Sequence, residues 1–141
     1  MDLAAMRKEL ERDEDRVPWA YPDSLGYWTI GVGHLIDHRK GGKLPESIID
    51  ALLDFDIAEK VGQLHGQFPW FEDLDEVRQR VLVNMCFNLG IGGLSEFKNM
   101  LAAVEGGNYE EAAEQMASSR WATQVGDRAT RLIAMMRTGS V

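Results

Sequence analysis

Several things are scarce in this chain, and each scarcity excludes a class of protein. Cys86 is the only cysteine in 141 residues, so neither an internal disulfide framework nor a cysteine-rich zinc module can form. It sits in an apolar stretch, where a small core filler is the expected role. Proline is rare (4 residues), and 45% of the residues are hydrophobic against 27% charged, which is the balance of a globular chain. No apolar run approaches the roughly 18 residues a membrane span needs, and Met1-Asp2-Leu3 opens no signal-peptide pattern. Stable membrane insertion is therefore not expected. Positive charge is short too: 15 basic residues against 23 acidic ones leave a net −8. Nucleic-acid binders draw their affinity largely from neutralised phosphates, so no nucleic-acid partner is expected.

What is present suits one domain, 1–141, long enough to bury roughly 68–70% of its unfolded surface. Charge is uneven along it. The first 25 residues are net acidic, while the last 27 carry Arg120, Arg128, Arg131 and Arg137 against Asp127 alone.

Leu3, Met6 and Leu10 recur at helical spacing from Asp2 to about Asp13. Pro18 stops helix, and Pro22-Asp23-Ser24-Leu25-Gly26 is turn chemistry between two aromatic and β-branched stretches, Val17 to Tyr21 and Tyr27 to Val32. These predict a short hairpin, followed by a polar loop over 37–43. Pro45 is placed to begin a helix to about Leu64. Asp73 with Glu76 resembles an N-cap box opening a very apolar helix that runs to Gly90. Further helices are expected over Ser95–Val104, from Asn108 (with Glu111) to about Ser119, and over Asp127–Arg137. The fold class is α+β, mostly α.

Glu14 falls where the first helix gives way to the hairpin, Asp23 in the hairpin turn and Thr29 on the second strand. Glycosidic hydrolysis needs one carboxyl to protonate the leaving oxygen and another to activate water or steady positive charge. Taken as chemistry alone, two carboxylates near one turn are also what a solvated acidic surface looks like.

The words around them are more specific. Glu14 followed by Tyr21-x-Asp23-x-x-Gly26-Tyr27-x-Thr29-Ile30-Gly31-x-Gly33-His34 closely resembles the signature of phage-type lysozymes, the endolysins of glycoside hydrolase family 24. Asn84-Met85-x-Phe87-Asn88-Leu89-Gly90 is similar to that family's central helix. Ser119-Arg120-Trp121-x-x-Gln124, with Arg128-Ala129-x-Arg131 and Arg137-Thr138-Gly139, resembles the C-terminal end of its T-even-phage branch. The resemblance implies a two-lobe domain: a small β-hairpin lobe (about 14–55) and a helical lobe (about 1–13 and 65–141), joined by a long helix.

It also implies roles. Glu14 matches the general acid, Asp23 the carboxylate that positions or deprotonates the attacking water, and Thr29 the hydroxyl that holds it. An inverting pair stands ~6.5–9.5 Å apart. Arg128 matches an arginine paired with the acid, Arg131 one paired with Asp13, and His34 a histidine whose partner in this chain is Asp54. Leu35, Phe87, Asn88 and Gln124 fall on substrate-binding positions. The implied substrate is bacterial peptidoglycan, cut at the β-1,4 link between N-acetylmuramic acid and N-acetylglucosamine by a monomer with no cofactor and no metal. Host cytoplasm is the expected location, with access to the wall after the membrane is permeabilised.

Around these positions, Tyr27, Trp28 and Ile30 are expected to pack a core, Gly31 and Gly33 to serve backbone geometry, and Trp121 to anchor helices. The sequence departs from the T-even branch in a shorter stretch between His34 and Asp54, in Leu25 and Val125, and in its acidic charge. Two other readings stand beside the hydrolase: a metal-dependent peptidase using His34, Asp37 and His38, and a non-catalytic domain that keeps the fold.

Overall fold

The computed structural model describes residues 2–36 and 43–141. The chain divides into two compact units, Met1–Ala51 and Leu52–Val141.

The first unit opens with α1, Leu3–Glu14. Asp2 caps it, accepting hydrogen bonds from the Ala4 and Ala5 N–H groups at 2.9 and 3.1 Å, two of the donors a helix start leaves unsatisfied. Only Asp15 and Arg16 separate α1 from β1, so the unit takes in α1 together with the strands, whereas the resemblance groups residues 1–13 with the helical lobe. The expected hairpin is a three-stranded antiparallel sheet: β1 (Val17–Pro22), β2 (Trp28–Gly31) and β3 (His34–Leu35), in that order. Tyr21 pairs with Thr29 and Pro22 with Trp28, but Val17 pairs with Gly31. Between Val17 and Tyr21 the first strand carries extra residues. Pro18, which has no N–H to give a ladder, sits in that bulge. The third strand is only two residues long, too short for any alternation of side chains to announce it.

Helix α2, Glu46–Gln67, follows. Pro45 lies just outside it and lends its carbonyl to the Ile48 and Ile49 N–H groups at 3.0 and 3.1 Å.

The second unit holds a core of buried side chains, among them Leu64, Phe71, Leu82, Met85, Leu94, Met100, Met116, Trp121 and Met136. Each large one contributes about 1.5–3 kcal/mol by leaving water. Met135 packs against this core from its edge. A 3₁₀ turn, Pro69–Asp73, buries Phe71 and delays the next helix. Consequently α3 (Glu76–Ser95) is capped by Asp75, not Asp73: the Asp75 carboxylate accepts the Arg78 N–H at 3.0 Å. Helix α3 is not buried on all sides, because Asn84 and Phe87 are exposed. It breaks at Gly90, whose φ of 74° and ψ of 162° suit glycine alone, then resumes. Ser95 therefore closes α3 instead of opening α4 (Lys98–Glu105). Its hydroxyl is spent backwards, donating to the Ile91 carbonyl at 2.7 Å.

Asn108 caps α5 (Tyr109–Ala117) as expected, taking the Glu111 N–H at 3.2 Å. Helix α6 (Arg120–Val125), too short for the hydrophobic period to reveal, is capped by Ser119. Helix α7, Asp127–Thr138, ends at left-handed Gly139. Arg78 ties three helices. Its guanidinium donates to the Met136 and Arg137 carbonyls at the end of α7 (2.8 and 3.2 Å) and lies 3.6 Å over the Tyr109 ring of α5.

Burial pushes the Cys86 thiol above its ordinary range, outweighing the nearby Lys60 charge, which fits an inert core residue. No described helix is long and apolar enough to cross a membrane.

Candidate active site

Glu14, Asp23 and Thr29 all belong to the first unit. Asp23 lies in the β1–β2 turn, where its side chain folds back on the chain. Oδ1 accepts the backbone N–H groups of Leu25 at 2.9 Å and Tyr27 at 2.8 Å. Two fixed donors lock the carboxylate plane, and among the described residues Oδ2 accepts no hydrogen bond. The Asp23 N–H in turn donates to the Tyr27 carbonyl at 2.8 Å. That same carbonyl accepts the Thr29 hydroxyl at 3.2 Å. Asp23 and Thr29 are thus held by one residue's backbone. Thr29 is 5% exposed, and with its proton committed to Tyr27 its oxygen keeps lone pairs to accept another donor.

Glu14 is the last residue of α1, and the chain leaves the helix through Asp15 at φ 61°, ψ 165°. Its carboxyl group lies against the β2–β3 turn. A β-carbon placed on Gly33 would meet Glu14 Cδ and Oε2 at 2.8 Å.

Leu35 is half-buried on β3, where it pairs with Thr29, and His34 is exposed beside it. Asp13 Oδ1 accepts from Arg12 Nε at 3.1 Å. Tyr27 and Trp28, expected in a core, are 39% and 49% exposed. A sheet of three short strands has too little surface to cover both its faces.

In the second unit, Phe87, Arg128 and Arg131 line one pocket of about 730 Å³, together with Asn84, Val83 and Met135. Arg128 is oriented by Asn84: Nε donates to Oδ1 at 2.8 Å and Nη2 to the backbone carbonyl at 3.3 Å. Asn88 has a structural partner. Its Oδ1 accepts the indole N–H of buried Trp121 at 2.8 Å, and Trp121 stacks edge-on against Phe97. Gln124 is exposed on α6 and Asp54 on α2. The members of the expected pairs Arg128 with Glu14, Arg131 with Asp13 and His34 with Asp54 belong to different units.

The metal set of the rival peptidase reading includes Asp37 and His38, which lie outside the described residues. Among the described residues, no three His, Cys, Asp or Glu side chains gather as a metal site. The sequence reading missed the part played by the Tyr27 backbone and by the bare surface of Gly33. The spacing of Asp23 from Tyr27, an acceptor side chain reaching four residues along a Gly-containing turn, is the signal that points to the first.

The family model described as Phage lysozyme matches residues 12–137. The chain belongs to the phage lysozyme family. Similarity to curated proteins spans the same region. A probable T4-type lysozyme 1 of Dictyostelium discoideum is 28% identical, covering 99% of this chain and 97% of that protein. The pre-baseplate central spike protein Gp5 of Enterobacteria phage T4 is 31% identical over 97% of this chain, which corresponds to 28% of its own length. Peptidoglycan hydrolase gp36 of Pseudomonas phage phiKMV is 28% identical over 96% of this chain and 15% of its own. The α+β, mostly helical fold agrees with membership of the phage lysozyme family.

Proposed function

We propose that this chain is a peptidoglycan hydrolase with lysozyme activity, a muramidase that serves phage-mediated host lysis. It cleaves the β-1,4 bond between N-acetylmuramic acid and N-acetylglucosamine. Glu14 gives its proton to the glycosidic oxygen as the bond to the muramic anomeric carbon breaks. Water attacks that carbon and loses a proton to Asp23, while Thr29 accepts a hydrogen bond from the water and holds it in place. Solvent exchange then returns a proton to Glu14 and removes one from Asp23. No cofactor enters this scheme. The working form we propose is a monomer made in the host cytoplasm that reaches the wall once the membrane is permeabilised.

Family membership supports the reading, and one local observation carries it. The Tyr27 backbone binds both the Asp23 carboxylate and the Thr29 hydroxyl. A fold needs a turn there, but it does not need a carboxylate and a buried hydroxyl held by the same backbone residue. The test is incubation with purified peptidoglycan in the presence of a chelator. New reducing muramic acid ends are expected at an undiminished rate; release of peptide amines instead, or loss of activity with the chelator, would overturn the proposal.

A further inference from the structure

Two glycines near the β2–β3 turn have positive φ: Gly31, the last residue of β2, at 70°, and Gly33, in the turn, at 63°. They share the sign of φ but not an environment. A β-carbon on Gly31 would have nothing within 4 Å, whereas one on Gly33 would lie 2.8 Å from Glu14 Cδ and Oε2 and 3.0 Å from Cγ. Carbon atoms do not approach that closely, so any side chain at 33 must push the Glu14 carboxyl aside. The displaced atoms are the free end of an exposed side chain. Moving them takes little folding energy, yet it changes where a proton would be delivered.

We propose that Gly33 is a positioning residue for Glu14, its bare α-carbon forming the seat on which the carboxyl group rests. This deepens the reading of Glu14 as general acid and depends on it. Displacing a reacting group by about 1 Å can cost on the order of 10²-fold in rate. The rigid turn supplies what an exposed glutamate lacks: a fixed wall on one side.

The two glycines make a matched comparison. Gly31→Ala and Gly33→Ala each place a β-carbon on positive-φ backbone, so both should lower Tm. Only Gly33→Ala should reduce kcat on purified peptidoglycan, by roughly 10–100-fold with KM little changed, and shift the limb of the pH–rate profile that reports the acid. Gly33→Asn adds the same β-carbon with a residue that tolerates left-handed backbone; it should lose kcat equally and decides the matter if the alanine variant fails to fold. In a Glu14→Gln background, Gly33→Asn should have no further effect. If Gly33→Asn matched Gly31→Ala in kcat and pH profile while Glu14→Gln was inactive, the seat would be refuted alone. If Glu14→Gln stayed active, the acid assignment would fall and the seat with it.

Discussion

Asn88, which falls on an expected substrate-binding position, accepts the Trp121 indole N–H on its side-chain oxygen at 2.8 Å. Trp121 is only 4% exposed, so Asn88→Ala strands a buried donor. An unsatisfied buried hydrogen-bonding group costs about 1–3 kcal/mol. Asn88 itself is exposed, so its truncation removes little apolar burial and that range is the whole expected effect. Near 150 residues each kcal/mol moves Tm by roughly 2–4 °C, giving a drop of about 4–8 °C for a loss near 2 kcal/mol. Trp121→Phe removes the donor while keeping most of the packing. In that background Asn88→Ala should cost less than about 0.5 kcal/mol, because nothing is left unpaired. Thermal melts of the two single variants and the double variant measure this coupling. The reasoning fails if Asn88→Ala leaves Tm unchanged and raises KM for peptidoglycan several-fold.

Three other outcomes are expected. Burial alone would raise the Asp75 carboxyl, but hydrogen bonds from the Arg78 N–H and guanidinium and that group's charge outweigh it and hold the pKa below its ordinary 3.8. A lowered native value adds stability above pH 3.8 that is lost as pH falls through the native value. Asp75→Asn should therefore be slightly less stable near neutrality, by about 1 kcal/mol or less because the Asp75 carboxylate is open to solvent, with the gap closing in acid melts; a gap that widens in acid contradicts this. Asp15 holds a backbone geometry (φ 61°, ψ 165°) that is close to glycine-only and costs on the order of 1–3 kcal/mol. Asp15→Gly should raise Tm despite the larger entropy of an unfolded glycine, and a fall would show that the strain is absent. The net charge of −8 should slow approach to an anionic wall at very low salt. Turbidity assays on cell walls should quicken as salt rises and the Debye length shrinks to ~8–10 Å, whereas a monotonic fall would count against this.

The legible parts of the fold were those with a repeating signal. Helix α1 follows from the apolar spacing of Leu3, Met6 and Leu10, α2 from Pro45 ahead of a periodic run, and α5 from the Asn108 and Glu111 cap pattern. The 3₁₀ turn at Pro69–Asp73, the six-residue α6 and the two-residue β3 carry too few residues for any period to register. The cap shift from Asp73 to Asp75 came from that unseen turn, because two aspartates two residues apart compete for one role and Phe71 burial chooses between them. In the proposed site, Glu14, Asp23 and Thr29 were singled out because an ordered motif names them. The Tyr27 backbone shows only indirectly, through the spacing of Asp23 from it along a Gly-containing turn, and the Gly33 surface not at all, because contact with a missing side chain leaves no residue-type signature. The bond between Asn88 and Trp121 was not readable for a related reason, since the partner lies 33 residues away in sequence.

The most direct measurement of the proposed chemistry is the anomeric form of the first product, read by NMR within minutes of adding a defined glycan with β-1,4 links. With Glu14 delivering the proton and Asp23 guiding water to the opposite face of the ring, the new reducing end should appear as the α-anomer and equilibrate only later. A β-anomer at the earliest times would mean a covalent or otherwise retaining route, and would contradict the proposed roles of both carboxylates.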